Sequence, residues 1–186
     1  MTPWELPQAL CVCGVDYSIR TDFRAILDIL MAFGDPELDD YAKTEVMIKI
    51  LYVDYEQIPP EAMQEAAERA AEFIDCGLSD DGKQVLRTFD WEQDAGLIIP
   101  AINRVAGHEV RTDKYMHWWT FMGYFMEIRE SVFSTIQGIR YKKAKRKKLE
   151  KWELEFCREN KSLVELKEKY TQEELEEQER LMRLLG

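Results

Sequence analysis

Tyr115-Met116-His117-Trp118-Trp119-Thr120-Phe121-Met122-Gly123-Tyr124-Phe125-Met126-Glu127-Ile128 is the stretch on which the fold turns. Ten of its fourteen residues are apolar, so it belongs inside a core. Thr112 stands where an N-cap is wanted, and the spacing predicts a helix from Asp113 to about Glu130. A helix that is apolar all round is buried all round, which puts this one at the centre of the molecule. Gly123 weakens helix propensity, and its presence predicts a close backbone approach by a neighbour. The run is broken by His117, Thr120, Gly123 and Glu127 and is too short to span a bilayer. Trp118-Trp119 reads as core in preference to a binding platform.

On the N-terminal side, Ala9–Cys13 and Tyr17–Ile19 flank Gly14-Val15-Asp16 and predict a β-hairpin. Thr21 is the expected cap of a helix carrying Phe23, Ile26, Leu27, Leu30 and Met31, stopped by Gly34 and Pro36. A second helix is expected from about Asp39 to Asp54. Pro59-Pro60 opens a third, running over Glu61–Asp75 to Cys76-Gly77. Gly77–Thr88 reads as a connecting loop. Asp90 and Gln93 form a D-x-x-Q box ahead of a further helix, which either kinks at Pro100 or divides there, a kink being preferred. Gly107 ends it. Beyond Ser131, the residues Val132, Phe133, Ile136 and Ile139 mark one more helix.

At Arg140 the composition changes. Arg140, Lys142, Lys143, Lys145, Arg146, Lys147, Lys148 and Lys151 stand against the single acid Glu150, a local charge of +7. Trp152–Gly186 carries −4 and the first 139 residues −14, within a total of −11. The chain therefore divides into a helical body, 1–139, and a charged helical appendage, 140–186. Leu149, Trp152, Phe156, Glu159, Leu163, Leu166 and Tyr170 follow one another at alternating spacings of three and four, a coiled-coil-like seam. Ser162–Glu165 and Thr171–Glu174 both resemble capping boxes. The preferred arrangement is a long basic helix, a break near Asn160, and one or two acidic helices; the alternative is that the seam folds back on the body. The overall expectation is a mostly α protein: a compact helical body, a small N-terminal hairpin and an extended C-terminal appendage.

Composition and motifs narrow the function. With 186 residues, 46% hydrophobic, the chain fills a core without being membrane-embedded. Met1–Leu10 lacks the basic and apolar regions of a secretory signal, so a cytosolic protein is expected. Four scattered cysteines do not make a disulfide framework. His108 and His117 match no zinc pattern, and Cys11-Val12-Cys13 has no second pair to complete a site. Ser79-Asp80-Asp81-Gly82 resembles the middle of a calcium loop, yet it would place Gly77 and Thr88 at the first and twelfth ligand positions. Nine glycines form no phosphate-binding loop. No catalytic residue, metal or cofactor is assigned.

Several stretches taken together resemble a known family. They are Gly14-Val15-Asp16-Tyr17 leading to Thr21-Asp22-Phe23-Arg24, Phe89-Asp90-Trp91-Glu92-Gln93-Asp94, Met116-His117-Trp118-Trp119-Thr120-Phe121, and Phe133-Ser134-Thr135-Ile136-Gln137-Gly138-Ile139-Arg140. In this order, from about residue 6 to 150, they are similar to the phage gp fifteen family of long-tailed phages and prophages of Gram-positive bacteria. The resemblance implies a tail-assembly chaperone, encoded beside the tape-measure gene, acting in the cytoplasm of the infected host and absent from the finished virion. Its implied partners are the tape-measure protein and the tail-tube protein. It transfers no catalytic residue.

Three readings follow. The favoured one is a non-enzymatic chaperone that binds its partner through Leu149, Trp152, Phe156, Leu163 and Leu166. The second is a nucleic-acid binder using the basic residues of 140–151, disfavoured because they surround the helix and the body is acidic. The third is a minor structural component of the tail. The basic segment is expected to meet acidic protein, either the chain's own acidic C-terminal helices or the body of another copy in a homo-oligomer. Deleting 149–186 is expected to leave a folded body. Trp118→Ala or Phe121→Ala is expected to cost about 3–5 kcal/mol, as removal of large buried aromatics does; an unchanged thermal midpoint would remove the central helix from its place.

Overall fold

A computed structural model of the chain describes residues 4–78 and 86–185. Ser79–Gly82 lies outside the described residues. The fold is mostly α, with one two-stranded antiparallel sheet at the N-terminus, as the patterning implies.

The hairpin is β1 (Ala9–Val12) and β2 (Val15–Ser18). Its turn is Cys13-Gly14, one residue earlier than Gly14-Val15-Asp16, because Val15 and Asp16 pair with Val12 and Cys11. Both turn residues take positive φ, 49° and 81°, the two-residue geometry whose twist matches the strands. Leu10 and Val12 point inward against α3 (Met63–Ile74).

The segment after β2 organises the body. Ile19 bridges to Tyr52, and Asp22 bridges to His117. Arg20 directs its guanidinium onto the carbonyls of Lys49, Ile50 and Tyr52, so it satisfies the C-terminal end of α2 (Asp40–Leu51). The cap of α1 (Phe23–Phe33) is Asp22, whose carboxylate accepts from the Arg24 N–H at 3.0 Å. Thr21, the expected cap, is instead buried, with its hydroxyl 2.7 Å from the Tyr115 hydroxyl.

The Asp90 box is half formed. Asp90 Oδ1 accepts from the Glu92 and Gln93 N–H groups, but the Gln93 side chain points elsewhere, and the Asp90 N–H is taken by Asp94. After that turn comes α4 (Ala95–Ala106), continuous through Pro100 and closed by Gly107 at φ 78°. The division of this helix into two does not occur.

The central helix is shorter than its sequence pattern. Residues 113–117 are extended, and α5 spans Trp118–Met126 with His117 as its cap. The residues ahead of it are held as a strand-like step against Thr21–Phe23, which uses the backbone groups that a longer helix would need. Trp118 and Phe121 are fully buried, as expected, whereas Tyr115 and Met126 are 53% and 42% exposed. The helix is therefore not buried all round: only Trp118 and Phe121 are fully buried, their neighbours are half-buried, and Gly123 and Met126 are exposed. Trp91, Trp118, Phe121 and Phe125 form a continuous aromatic cluster, joined by Phe23 stacked on Phe121 at 4.4 Å and by Phe89. No neighbour approaches Gly123: a Cβ built there meets nothing within 4 Å.

The helix α6 (Val132–Ala144) starts at Ser131, in a reciprocal capping box with Ser134. The 139/140 line falls inside it. The chain then turns through Arg146 at φ 53° into α7 (Lys151–Glu159), α8 (Lys161–Val164) and, after an extended strap, α9 (Gln172–Leu185). No long basic helix forms, because α6 stops at Ala144; the break at Asn160 is present.

Because the space beside Gly123 is empty, Gly123→Ala is expected to raise stability by about 0.5–1 kcal/mol. A thermal melt of the variant checks this, and a fall would reveal a contact absent from this structure.

Candidate partner-binding surfaces

The residues of the His-Trp-Trp element act as fasteners. Trp118 Nε1 donates to the Ile74 carbonyl at 2.8 Å and Trp119 Nε1 to the Phe73 carbonyl at 2.9 Å, which ties both indoles to the last turn of α3, where the Phe73 carbonyl also accepts from the Cys76 N–H. His117 Nδ1 accepts from the Trp119 N–H at 3.0 Å, which leaves Nε2 to carry the proton and donate to the Pro7 carbonyl at 2.9 Å. Asp22 holds Arg24 and the Met116 N–H, while Arg24 reaches the carbonyls of Arg111 and Asp113. These groups are consumed internally and are not offered to a ligand.

Arg140 is placed indoors, 5% exposed, so it leaves the surface patch to which its charge assigned it. Its guanidinium meets both oxygens of buried Asp94 at 2.5 and 3.0 Å, and its other bonds reach the carbonyls of Thr88, Leu163 and Val164. All five guanidinium N–H groups can be satisfied by this set. Lys142 is also engaged, at 2.7 Å from Glu153, whose carboxyl is held below its ordinary range by that bond first and by the Glu150 N–H second. The other six cations, Lys143, Lys145, Arg146, Lys147, Lys148 and Lys151, are exposed around the α6–α7 turn.

The seam divides in the same way. Leu149 and Phe156 fold back beside Ile136, Ile139 and Val164 in a second small core, and Leu166 is half-buried. Trp152 and Leu163 remain 54% and 40% exposed. The following strap is bound to the body: Gln93 donates to the Glu165 carbonyl and accepts from the Lys167 N–H, Lys169 meets Glu92 at 2.8 Å, and the Gln172 N–H reaches Glu37. Deleting 149–186 would strip Arg140 of two carbonyls and uncover Ile136 and Ile139, so that cut damages the body it was meant to spare.

The clearest concave apolar surface is elsewhere, in an open groove between α2 and α3 lined by Tyr41, Ile48, Tyr55, Met63 and Ala67, with Lys49 and Glu45 at its edge. Tyr41 is 78% exposed at the rim. Sequence reasoning passed over it, because its residues lie on two helices and the inward face of α2 dominates the pattern. The available signal was Tyr41 itself, an aromatic seven residues before Ile48 and so on the same side of α2. Among the described residues, no group of three or more His, Cys, Asp or Glu side chains is arranged to hold a metal, and no helix is long and apolar enough to cross a membrane.

A mostly helical, internally fastened protein with exposed helix surfaces is the class that this geometry defines. Compared with known families, residues 5–166 match the family described as Bacteriophage Gp15 protein, and the chain belongs to it. No match was found to curated proteins or to solved structures. The family match ends before α9 begins.

Two measurements test this architecture. Asp94→Ala strands a buried guanidinium and is expected to cost about 3–5 kcal/mol, whereas pairing Asp94→Leu with Arg140→Met is expected to cost less than the single change; equal losses in chemical denaturation would deny the coupling. The two histidines are expected to titrate on opposite sides of the ordinary value near 6.5. His108 is raised by its hydrogen bond to Asp113, 2.8 Å away, and then by the Ala106 carbonyl; His117 is lowered by burial. Stability from His108 is therefore full below about pH 6.5 and lost as the pH rises through its folded pKa, while that from His117 is full above 6.5 and lost as the pH falls. Imidazole NMR titration checks the order, and coincident midpoints would contradict it.

Proposed function

We propose that this protein is a non-enzymatic phage tail-assembly factor, a chaperone that holds the tape-measure protein and brings tail-tube subunits to it. The observation that carries the reading is the phage-family match over 5–166. The α2–α3 groove supports it: an apolar floor with a charged edge suits one face of an amphipathic helix. On this reading the groove, and not the seam, receives the partner, because Leu149 and Phe156 of the seam pack against the body and Leu166 is half-buried. The work is done in the host cytoplasm before the virion is complete.

Co-expression with the tape-measure product encoded nearby is the test. The tagged full chain is expected to retain that product in soluble form, and Tyr41→Asp combined with Ala67→Asp is expected to release it while the melting curve stays cooperative. A full chain that fails to retain the product, or its presence in purified particles in stoichiometric amounts, would overturn the reading, the second in favour of a structural tail component.

A further inference from the structure

Six cations at the α6–α7 turn stand without a carboxylate. Lys143, Lys145, Arg146, Lys147, Lys148 and Lys151 are exposed, and among the described residues none forms an ion pair. Two aromatic rings lie beside them: Tyr141, 43% exposed with Lys147 Nζ 5.4 Å from its ring centre, and Trp152. The surface is thus both cationic and aromatic, within a chain of net charge −11.

The matching surface is α9. Glu173, Glu174, Glu176, Glu177 and Glu179 crowd its first eight residues, and Leu175, Leu181 and Met182 are exposed along it. Among the described residues its carboxylates bond locally, Glu174 capping Thr171 and Glu179 meeting Arg183. The hydrogen bond that ties the helix to the body, among the described residues, is at its first turn, where the Gln172 N–H reaches Glu37. A fourteen-residue helix in water is marginal on propensity, so α9 needs a surface to lie on. It is about 21 Å long, enough to reach across to a neighbour. Within one chain none of its carboxylates pairs with any of the six cations.

We propose that α9 of one copy docks across the basic α6–α7 turn of a second copy. Its glutamates lie among the six cations, and its apolar stripe covers Tyr141 and Trp152. Reciprocal exchange closes a two-fold dimer, because each copy offers one helix and one turn. This inference does not rest on the tape-measure reading, since only the chain itself is needed.

The experiment uses two charge-reversed full-length variants, one with Lys143, Arg146 and Lys148 changed to Glu, the other with Glu173, Glu176 and Glu177 changed to Lys. Circular dichroism establishes that both fold, and sedimentation velocity reads the association. The wild type is expected to dimerise at low salt and to dissociate towards about 0.5 M, where exposed charges are screened within a few Å. Each variant alone is expected to lose at least about tenfold in dimer affinity. Mixed together they are expected to form a heterodimer, because each then meets its complement. A monomeric wild type, association that survives deletion of 172–186, or a mixture that stays monomeric would overturn the proposal. So would a monomer that binds a DNA duplex through the same three basic residues, which would assign the turn to nucleic acid.

Discussion

The fold depends on a short antiparallel step between Thr21–Phe23 and Met116–Trp118. The Phe23 N–H donates to the Met116 carbonyl at 3.0 Å and the Trp118 N–H to the Thr21 carbonyl at 2.7 Å. Buried backbone groups have to be paired, and here two helix N-termini, each with its own side-chain cap in Asp22 and His117, also satisfy one another across the length of chain between them. That pairing fixes α1 and α5 side by side, brings Phe23 onto Phe121, and aims both indole N–H groups at the end of α3. The aromatic cluster gives the packing energy; the polar step decides which way the helices face.

A second constraint is Arg140. A guanidinium at 5% exposure is tolerable only with its donors met, and those acceptors come from three places in the sequence: Thr88, Asp94 and the pair Leu163-Val164. The residue thereby joins the C-terminal layer to the body, and the two are one packed unit up to Val164 in spite of their different composition. Ion pairs of this kind are weak evidence for net stability and better evidence for a fixed arrangement, since removing one partner leaves the other stranded.

Much of the helical order was legible from apolar spacing and breakers: Gly34, Pro59-Pro60 and Gly107 each stand where an element starts or stops. The failures share a cause. Thr112 and Thr21 look like caps and are not, because tertiary pairing of 21–23 with 116–118 claimed the backbone at both places. Gly123 was read as a contact glycine and faces open space. Arg140 was counted with the surface cations because charge is visible in a sequence and burial is not; its partner Asp94, 46 residues away, had no periodicity to mark it. The seam has the right spacing for a helix pair, but for Leu149 and Phe156 the nearer surface is that of Val164 and Ile139. Ser131–Ser134 and Glu150–Glu153 form capping boxes that escaped notice because their members depart from the usual residue choice.

The place of Leu163 and Val164 has a consequence for synthesis. The carbonyls that complete the shell of Arg140, and the Val164 side chain that covers Ile136 and Ile139, leave the ribosome only after all of α1–α7 has been made. Domains gain structure from the N-terminus as they emerge, so the hairpin and α1–α5 can assemble early. The α4–α6 face cannot close until Leu163 and Val164 have emerged. A nascent chain stalled before residue 163 presents an uncovered apolar strip and an incompletely bonded arginine, the state most exposed to aggregation and to proteolysis.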